Sequence, residues 1–262
     1  MRQRRLAAFP LIISMLVAGL LAVPASQAQA ATVDYIALGD SYSSGVGAPD
    51  LSGLCLRSPQ GYPQLWADAH SVASFQTEAC GAAVTATVRA FQLWSLNSGT
   101  DVVTITIGGN DVGFATAMIT CTLGSTASCL DAVDDGRDYA ETTLPGDLDA
   151  TYAEIRQHAP TAKVYVLGYP RLFEEPATCS DGPSLTKRKA INVAADELSG
   201  VIGGRATAAG FTYVDVRSSF AGHGICGSTP WINAFSLSVN AFHPNADGYK
   251  KGYLPALTAA TS

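Results

Sequence analysis

The sequence predicts an α/β protein with an open, doubly wound parallel sheet. Five short apolar segments rich in β-branched residues recur along the chain, and a longer segment separates each from the next. Apolar runs of this length with long connections are typical of buried parallel strands joined by crossover helices. The predicted strands are residues 33–38, 72–77, 101–107, 163–169 and 211–216.

Four of the segments between the predicted strands have the sequence pattern of helices. The clearest covers residues 144–160, and Pro160 ends it just before a strand. The longest covers residues 184–210, where Ser184 or Thr186 can serve as the N-cap and Gly210 ends the helix. The alternation of strands and helices predicts crossover connections and therefore a sheet covered by helices. The predicted helices are residues 62–71, 144–160, 184–210 and 244–260.

The first thirty residues have the pattern of a secretory signal. Three arginines among the first five residues precede the apolar stretch FPLIISMLVAGLLAV, which is short for a membrane span, and the small-residue motif AQA follows at 28–30. We predict a signal peptide over residues 1–30, cleavage after Ala30, a secreted, extracellular protein, and a single domain over residues 31–262. An uncleaved anchor is the alternative, and the A-x-A ending disfavours it.

The chain is acidic, with 16 Lys and Arg against 22 Asp and Glu and a formal charge of −6 at pH 7. Loss of the arginine-rich leader makes the remaining chain more acidic still. An acidic chain without basic clusters disfavours nucleic acid as a partner and disfavours attraction to anionic membranes. We therefore expect no nucleic-acid partner and no stable membrane anchoring. We also expect a monomer.

All six cysteines follow the predicted leader, and an even number in an exported protein indicates disulfides. Two of these cysteines lie close together in sequence, and two others flank one segment. The last two then remain to pair with each other. A metal site is the alternative, but the sequence has no C-x-x-C motif and no Cys/His ligand spacing, so we predict no metal. The expected pairs are Cys121 with Cys129, Cys55 with Cys80, and Cys179 with Cys226.

Chemically useful side chains follow two of the predicted strands. Ser41 comes just after the first strand in GDSYSSG, and Asn110 follows the third strand in TITIGGND. The carboxyl ends of these strands are neighbours in the usual order of a five-stranded sheet, and ligands bind at that edge. His243 lies near the C-terminus in NAFHPNADGY. Acyl transfer needs a hydroxyl nucleophile, a base and oxyanion donors, and these residues can supply all three.

Each of these residues alone has an ordinary structural interpretation as a turn serine, a turn asparagine or a surface histidine. Their placement beyond strand ends is what favours catalysis. His223, on a glycine-rich loop after the fifth strand, is the rival base and ranks below His243. Asp40 and Asp111 are expected to hold turns through side chain–backbone bonds. The acidic run DAVDDGRD lacks EF-hand spacing and is predicted to be a solvated turn.

The motifs GDSYSSG, GGND and FHPN, in that order, resemble the motif blocks of the SGNH, or GDSL, hydrolases. The resemblance runs from Tyr35 to Tyr253 and is strongest to the small secreted actinobacterial lipases and esterases of that family. It implies a flavodoxin-like α/β/α sandwich with a five-stranded parallel sheet, the SGNH hydrolase fold. It also implies that the enzyme needs no metal or organic cofactor.

The resemblance implies Ser41 as nucleophile and His243 as base. It implies an oxyanion hole made by the Ser41 N–H, a backbone N–H after the second strand, and the Asn110 side chain. The second motif block of the family commonly reads Ala-Cys-Ser-Gly-Ala, whereas this chain has ACGAA. The glycine position therefore falls on Ala82, with Gly81 one residue earlier, and either can supply the N–H. An alanine there is strained if the position requires a positive φ.

A second departure concerns the residue that orients the histidine. Many members carry Asp three residues before it, whereas this chain has Asn240. The Asn240 side-chain oxygen, or a main-chain carbonyl near residues 240–241, can accept the Nδ1–H of His243 and hold the tautomer, but neither offers a full charge. We therefore expect a Ser-His dyad with a neutral orienting group.

The resemblance implies a carboxylic ester hydrolase, a lipase or esterase that acts on a lipid or other acyl-ester substrate through an acyl-enzyme. Phospholipase A or carbohydrate deacetylase activity is the alternative within the enzyme class. A secreted binding protein without catalysis is the alternative outside it. The segments LSGLC, AMITCTLGS and GICGSTPWINAFSL are expected to shape the acyl pocket.

Overall fold

A computed structural model describes residues 33–262, which form an α/β fold around one sheet. All five strands are parallel, in the order β2-β1-β3-β4-β5. This order, with helices on both faces of the sheet, confirms the expected flavodoxin-like architecture. The strands are β1 Val33–Gly39, β2 Val72–Thr77, β3 Val102–Thr106, β4 Lys163–Leu167 and β5 Thr212–Val214.

The central strands are buried, whereas the two outer strands are partly exposed. Every residue of β3 is buried, and so is most of β1 and β4. No residue of β2 is fully buried, and only the last residue of β5 is. The expectation of five buried strands is therefore wrong for β2 and β5. Both are edge strands with a neighbour on one side only.

The described part of the chain contains eight α-helices. They are α1 Ser41–Ser44, α2 Tyr62–Ala69, α3 Thr85–Phe91, α4 Phe114–Leu123, α5 Thr126–Thr142, α6 Leu144–His158, α7 Leu185–Ala208 and α8 Leu254–Thr261. The four predicted helices appear as α2, α6, α7 and α8, and a wider helical turn over Gly248–Tyr253 precedes α8. Helices α1, α3, α4 and α5 are additions to the predicted set.

The acidic run DAVDDGRD at 131–138 lies inside α5 and is not a turn. Its apolar neighbours on the same helix are buried, while its charged side chains face outward. Arg137 bonds to Asp134 one turn earlier, at 2.9 Å, and to Glu197 of α7, at 2.8 Å. The acidic side chains of the run therefore lie on the solvent-facing side of an amphipathic helix, which packs its other side on the fold.

Three disulfides connect separate segments of the fold. A disulfide of this kind stabilises a folded domain by about 2–4 kcal/mol. The first connects the loop before α2 to the loop after β2, and the second connects α4 to α5. The bonded pairs are the expected ones, Cys55–Cys80, Cys121–Cys129 and Cys179–Cys226.

The predicted leader, residues 1–30, lies outside the described residues, so its cleavage remains a prediction. Within residues 33–262, none of the helices combines the length and the apolar character that a membrane crossing requires.

The parallel arrangement brings the loops after β1 and β3 to one edge of the sheet. These two strands are hydrogen-bonded neighbours, paired from Tyr35 with Val102 to Gly39 with Thr106. The residues that follow the two strands are therefore held side by side at the carboxyl edge, where ligands bind in open α/β sheets.

Candidate active site

The candidate nucleophile Ser41 lies where β1 ends against β3. Gly39 has a φ of +119°, and a Cβ at this position would lie 2.4 Å from the carbonyl oxygen of Thr106. Only glycine allows this approach and this conformation. Asp40 then caps α1 by accepting a hydrogen bond from the Tyr42 N–H at 2.9 Å. Ser41 is therefore the first residue of a short helix at the carboxyl edge of the sheet.

Ser41 is hydrogen-bonded to His243. The Oγ of Ser41 lies 2.7 Å from Nε2 of the ring, and Nδ1 lies 2.9 Å from the carbonyl oxygen of Ala241. A carbonyl oxygen can only accept, so Nδ1 carries the proton and Nε2 carries the lone pair. Nε2 can thus accept the proton of the Ser41 hydroxyl, which is the geometry of a nucleophile and its base.

The group that orients His243 is a main-chain carbonyl, and not the side chain of Asn240. The Oδ1 atom of Asn240 is buried and bonds to no group in the described part of the chain. The Asn240 main-chain carbonyl accepts the backbone N–H of His243 at 3.2 Å. Of the two orienting groups that the sequence left open, the structure places the main-chain one, at Ala241, against the ring.

The loop that carries His243 is held in a strained turn. Phe242 has a φ of +62°, and its carbonyl accepts the Tyr42 hydroxyl at 2.7 Å. The carbonyl of His243 accepts both the backbone N–H of Asn233, at 2.9 Å, and its side-chain amide, at 3.1 Å. A Cβ at Gly47 would lie 2.7 Å from the Cβ of His243. These contacts hold the ring at a fixed distance from the nucleophile.

Candidate backbone donors for an oxyanion lie in two loops. The N–H of Gly81 is already used, because it donates to the carbonyl of Cys55 at 3.0 Å. The N–H groups of Ser41 and Ala82 make no hydrogen bond to any group within residues 33–262. Ala82 is therefore the better candidate of the two positions. Its φ of +62° is the strained conformation anticipated for alanine, at a cost of about 1–3 kcal/mol.

Asn110 brings a side-chain amide from the loop after β3. One of its N–H bonds donates to the carbonyl of Ala83 at 2.9 Å, which leaves the second N–H for another acceptor. Asn110 and Ser41 line the same cleft. Asp111 anchors the loop to the start of α3, because its carboxylate accepts the Thr85 N–H at 3.0 Å and the Thr85 hydroxyl at 2.6 Å.

His243 is neutral in this environment. Burial lowers the pKa of His243 to about 4, although the carbonyls of Ala241 and Val239 favour the charged ring and oppose the shift. At neutral pH the ring therefore holds its lone pair and can act as a general base.

Asp40 is buried beside Ser41 and ties loops together. Burial raises the pKa of Asp40 to about 7, against the hydrogen bonds that it accepts from the Tyr169 hydroxyl and the Tyr42 N–H. The Tyr169 oxygen in turn accepts the N–H of Gly109 at 3.0 Å. Asp40 therefore connects the loops after β1, β3 and β4, which agrees with the turn-holding role expected for it.

An apolar cleft opens beside Ser41 between α4, α5 and α7. Its volume is about 800 Å³, including the part open to solvent. On α5, Ala132, Gly136 and Ala140 face the cleft, because residues four positions apart lie on the same side of a helix. These small side chains leave room for an elongated apolar group.

Of the three segments expected to shape the pocket, one contributes to this cleft. Ala117 and Met118 of AMITCTLGS line it, as part of α4. Among the described residues that line the cleft, none comes from LSGLC or GICGSTPWINAFSL. The latter segment instead supports His243 through Asn233. Sequence reasoning missed the contribution of α5 and α7, and the spacing of small residues on α5 is the signal that could have revealed it.

The rival base His223 lies apart from these groups. Its ring stacks on Trp231 with the centroids 3.6 Å apart, and its Nδ1 bonds to the carbonyl of Thr229 at 2.9 Å.

Among residues 33–262, no three His, Cys, Asp or Glu side chains form a group that could hold a metal ion.

Comparison with known proteins gives consistent matches over most of the chain. Residues 37–251 match the GDSL-like Lipase/Acylhydrolase family. The chain is 49% identical over 244 residues to a lipase of Streptomyces rimosus, covering 92% of this chain and 90% of the relative. It is also 49% identical over 245 residues to lipase 1 of Streptomyces coelicolor, covering 91% of each.

Two solved structures have the same fold at high identity. The phospholipase A1 from Streptomyces albidoflavus NA297 has a TM-score of 0.86 and is 46% identical, with 87% of this chain and 99% of that chain covered. The extracellular lipase from Streptomyces rimosus has a TM-score of 0.85 and is 48% identical, with 87% and 100% covered.

Asn240→Ala is expected to remain active, whereas His243→Ala is expected to be inactive. The orienting contact of the ring is the Ala241 carbonyl, which the Asn240 substitution leaves in place. The loss should not exceed that of one ordinary hydrogen bond, about 0.5–1.5 kcal/mol, or roughly 2- to 13-fold in rate. The measurement is kcat/KM on one short-chain soluble ester, with circular dichroism as the check of folding. Equal losses in two folded variants would make Asn240 a third member of the catalytic group.

The acid limb of the pH profile should lie well below the ordinary histidine value. Because burial lowers the pKa of His243 to about 4, the ring keeps its base form as pH falls from 7 to about 5. Activity on an uncharged ester, measured as kcat/KM, should then fall as pH drops through about 4. In the unfolded chain the ring takes up its proton near pH 6.5, so acid also lowers the free energy of unfolding.

Circular dichroism at each pH separates loss of base from loss of fold. An acid limb centred near 6.5 in folded protein would contradict the buried, neutral state of His243.

Proposed function

Because the chain belongs to the GDSL-like Lipase/Acylhydrolase family and is an ester hydrolase, we propose that it is a secreted lipase that cleaves acyl esters through a Ser41–His243 dyad. The observation that carries this proposal is the 2.7 Å contact between Ser41 Oγ and His243 Nε2 beside an apolar cleft. The nucleophile, its base and the acyl site are thus contiguous.

Acylation begins when Ser41 Oγ attacks the carbonyl carbon of the ester. His243 Nε2 takes the hydroxyl proton as the new bond forms, and the carbonyl oxygen becomes an oxyanion. The N–H groups of Ser41 and Ala82 and the side-chain amide of Asn110 receive that charge. The tetrahedral intermediate then collapses. The bond to the alcohol breaks, and the imidazolium returns its proton to the leaving oxygen.

Deacylation repeats these steps with water as the nucleophile. Nε2 of His243 takes a proton from the water as its oxygen attacks the acyl carbon, and the same donors hold the second oxyanion. The ester bond to Ser41 then breaks, Oγ regains its proton from the ring, and the carboxylic acid is released.

The imidazolium of each step is stabilised by dipoles rather than by a carboxylate. The carbonyl of Ala241 accepts the Nδ1–H, and the carbonyl of Val239 also favours the charged ring. Such acceptors fix the tautomer and the ring orientation, which are two of the tasks of the aspartate in a Ser-His-Asp triad. The third task, a full negative charge, is absent from this proposed dyad.

The apolar cleft favours substrates with an acyl chain over acetylated carbohydrates. Its small side chains on α5 and α7 leave an elongated space, whereas an acetyl group needs little room. Phospholipase A activity remains a second candidate, because the chain is 46% identical to a phospholipase A1 of the same fold. Both activities place an acyl chain in the cleft and differ in the alcohol that leaves.

Secretion is supported by two observations. The chain is 48% identical to an extracellular lipase, and its six cysteines form three disulfides, which persist in oxidising compartments. The alternative of a binding protein without catalysis is disfavoured by the neutral, paired histidine and by the ester-hydrolase relatives.

A bulky side chain in the cleft should reduce activity on long acyl chains selectively. Ala195 of α7 lines the cleft, so Ala195→Phe fills space that a long chain needs but a short chain does not. Hydrolysis of a p-nitrophenyl decanoate should fall by about tenfold or more in kcat/KM, within the 1–3 kcal/mol typical of apolar pockets. Hydrolysis of the butyrate should change by less than about twofold on the same reasoning.

Val193→Phe is the matched control, because Val193 is on the exposed side of the same helix. It should leave both esters unaffected, and Ser41→Ala should hydrolyse neither. Turnover of the esters by folded Ser41→Ala would overturn the proposed nucleophile. An equal loss on both esters in Ala195→Phe would overturn the acyl role of the cleft.

A further inference from the structure

The side chain of Gln92 holds the backbone of the residue just before the nucleophile loop. Gln92 caps the end of α3 and is 2% exposed. Its Oε1 accepts the N–H of Gly39 at 2.7 Å, and its Nε2 donates to the carbonyl of Gly39 at 2.9 Å. Both polar groups of one backbone residue are thus bonded to one side-chain amide.

These two bonds replace a missing strand neighbour. The pairing of β1 with β2 ends at Ala37 with Thr77, whereas β1 continues to Gly39 beside β3. Beyond that point the outer side of β1 has no strand against it in the described residues. The amide of Gln92 occupies this side, so the backbone that leads into Asp40 and Ser41 is held on both sides.

Gly39 is also the point where the nucleophile loop meets the oxyanion loop. Its carbonyl accepts a second hydrogen bond, from the N–H of Cys80 at 3.0 Å. Cys80 precedes Gly81 and Ala82, the positions considered for the oxyanion donor. Gln92 and the oxyanion loop therefore share one acceptor.

Helix α3 connects this junction to the third loop of the site. Its first residue, Thr85, is bound by the carboxylate of Asp111, which follows Asn110. Its end is bound to Gly39 through Gln92. One helix is therefore attached at its start to the asparagine loop and at its end to the serine loop.

We propose that Gln92 is a positioning residue that sets the geometry between Ser41 and the oxyanion donors. The inference rests on the proposed acyl-transfer function. Gln92 is not among the residues that line the cleft, so it acts through Gly39 and not through the substrate. Oxyanion donors must lie about 2.7–3.1 Å from the developing charge, and a displacement near 1 Å can cost about 10²-fold in rate.

Gln92→Met tests the proposal, because methionine keeps the length of the side chain and removes both hydrogen bonds. The expected result is a kcat on p-nitrophenyl butyrate lower by about 10- to 100-fold, with KM within about twofold, since the charge develops only in the transition state. Thermal unfolding is measured in parallel.

Asn192→Leu is the matched control. Asn192 is also a buried amide with two bonds to one backbone residue, accepting the N–H of Phe173 at 3.2 Å and donating to its carbonyl at 2.8 Å. Its loss should lower the melting temperature by a similar amount and leave kcat on butyrate within about twofold, because it bonds to none of the four loops that carry the proposed catalytic groups.

Gln92→Glu supplies a second readout. The carboxylate form keeps an acceptor for the Gly39 N–H but cannot donate to the Gly39 carbonyl, whereas the protonated form can do both. Its kcat relative to wild type should therefore rise as pH is lowered from 8 to 5. The rise in the relative kcat of Gln92→Glu at low pH also tests the proposal if Gln92→Met does not fold.

Two outcomes would overturn the positioning role, and a third would count against the proposed function. A kcat near the wild-type value in folded Gln92→Met, with only a lower melting temperature, would overturn the positioning role. A ratio for Gln92→Glu that stays far below one down to pH 5, where burial favours the protonated carboxyl, would overturn it as well. Inactivity of the wild-type protein on every ester would instead count against the proposed function, because the comparison between variants would have no reference rate.

Discussion

The close approach of β1 to β3 at Gly39 is the constraint on which the site depends. A Cβ at this residue would overlap the carbonyl of Thr106, so the position requires glycine. The approach lets the N–H of Asp40 bond to that carbonyl at 3.0 Å and turns the chain directly into α1. The same backbone residue carries bonds to Gln92 and Cys80. Serine, oxyanion loop and asparagine loop are therefore fixed relative to one another by contacts around one glycine.

The histidine reaches this edge from the other end of the chain, and strained backbone holds it there. Phe242 and Ala82 both have a φ of +62°, which non-glycine residues adopt at a cost. Contacts around these two residues offset this conformational cost. Tyr42 bonds to the carbonyl of Phe242, and the Cys55–Cys80 disulfide fastens the loop of Ala82. Phe242 precedes the proposed base, and Ala82 itself carries a proposed oxyanion donor; backbone strain is common at such sites.

The parts of this structure that follow from local pattern could be predicted, and those that follow from tertiary contacts could not. The strands and the positions of Ser41 and Asn110 follow from apolar runs that end in short polar motifs. The choice between Gly81 and Ala82 depends on which N–H the Cys55 carbonyl takes, and no sequence pattern encodes that. The orienting carbonyl of Ala241 was one of two alternatives for the same reason, since every residue has a carbonyl.

Helices α4 and α5 were missed for a different reason. In α4, which has no charged residue, only Met118 and Cys121 are buried, so its sequence shows no clear apolar stripe. The many charged residues of α5 resemble the composition of a loop. The proposed acyl cleft lies between α4, α5 and α7, so its walls could not be assigned before the packing of these helices was known. Motifs therefore located the proposed reacting groups, whereas the cleft proposed to receive the acyl chain emerged only from the fold.

A crystal structure of the protein inhibited by a long-chain alkyl phosphonate tests most directly whether the three loops converge on one oxyanion. We predict phosphorus bonded to Ser41 Oγ, with the phosphoryl oxygen about 2.7–3.1 Å from the N–H groups of Ser41 and Ala82 and from the amide of Asn110. The alkyl chain should lie in the cleft between α4, α5 and α7. A phosphoryl oxygen that faces solvent, or that is bound by the N–H of Gly81 in place of Ala82, would contradict the convergence of these three loops on one oxyanion.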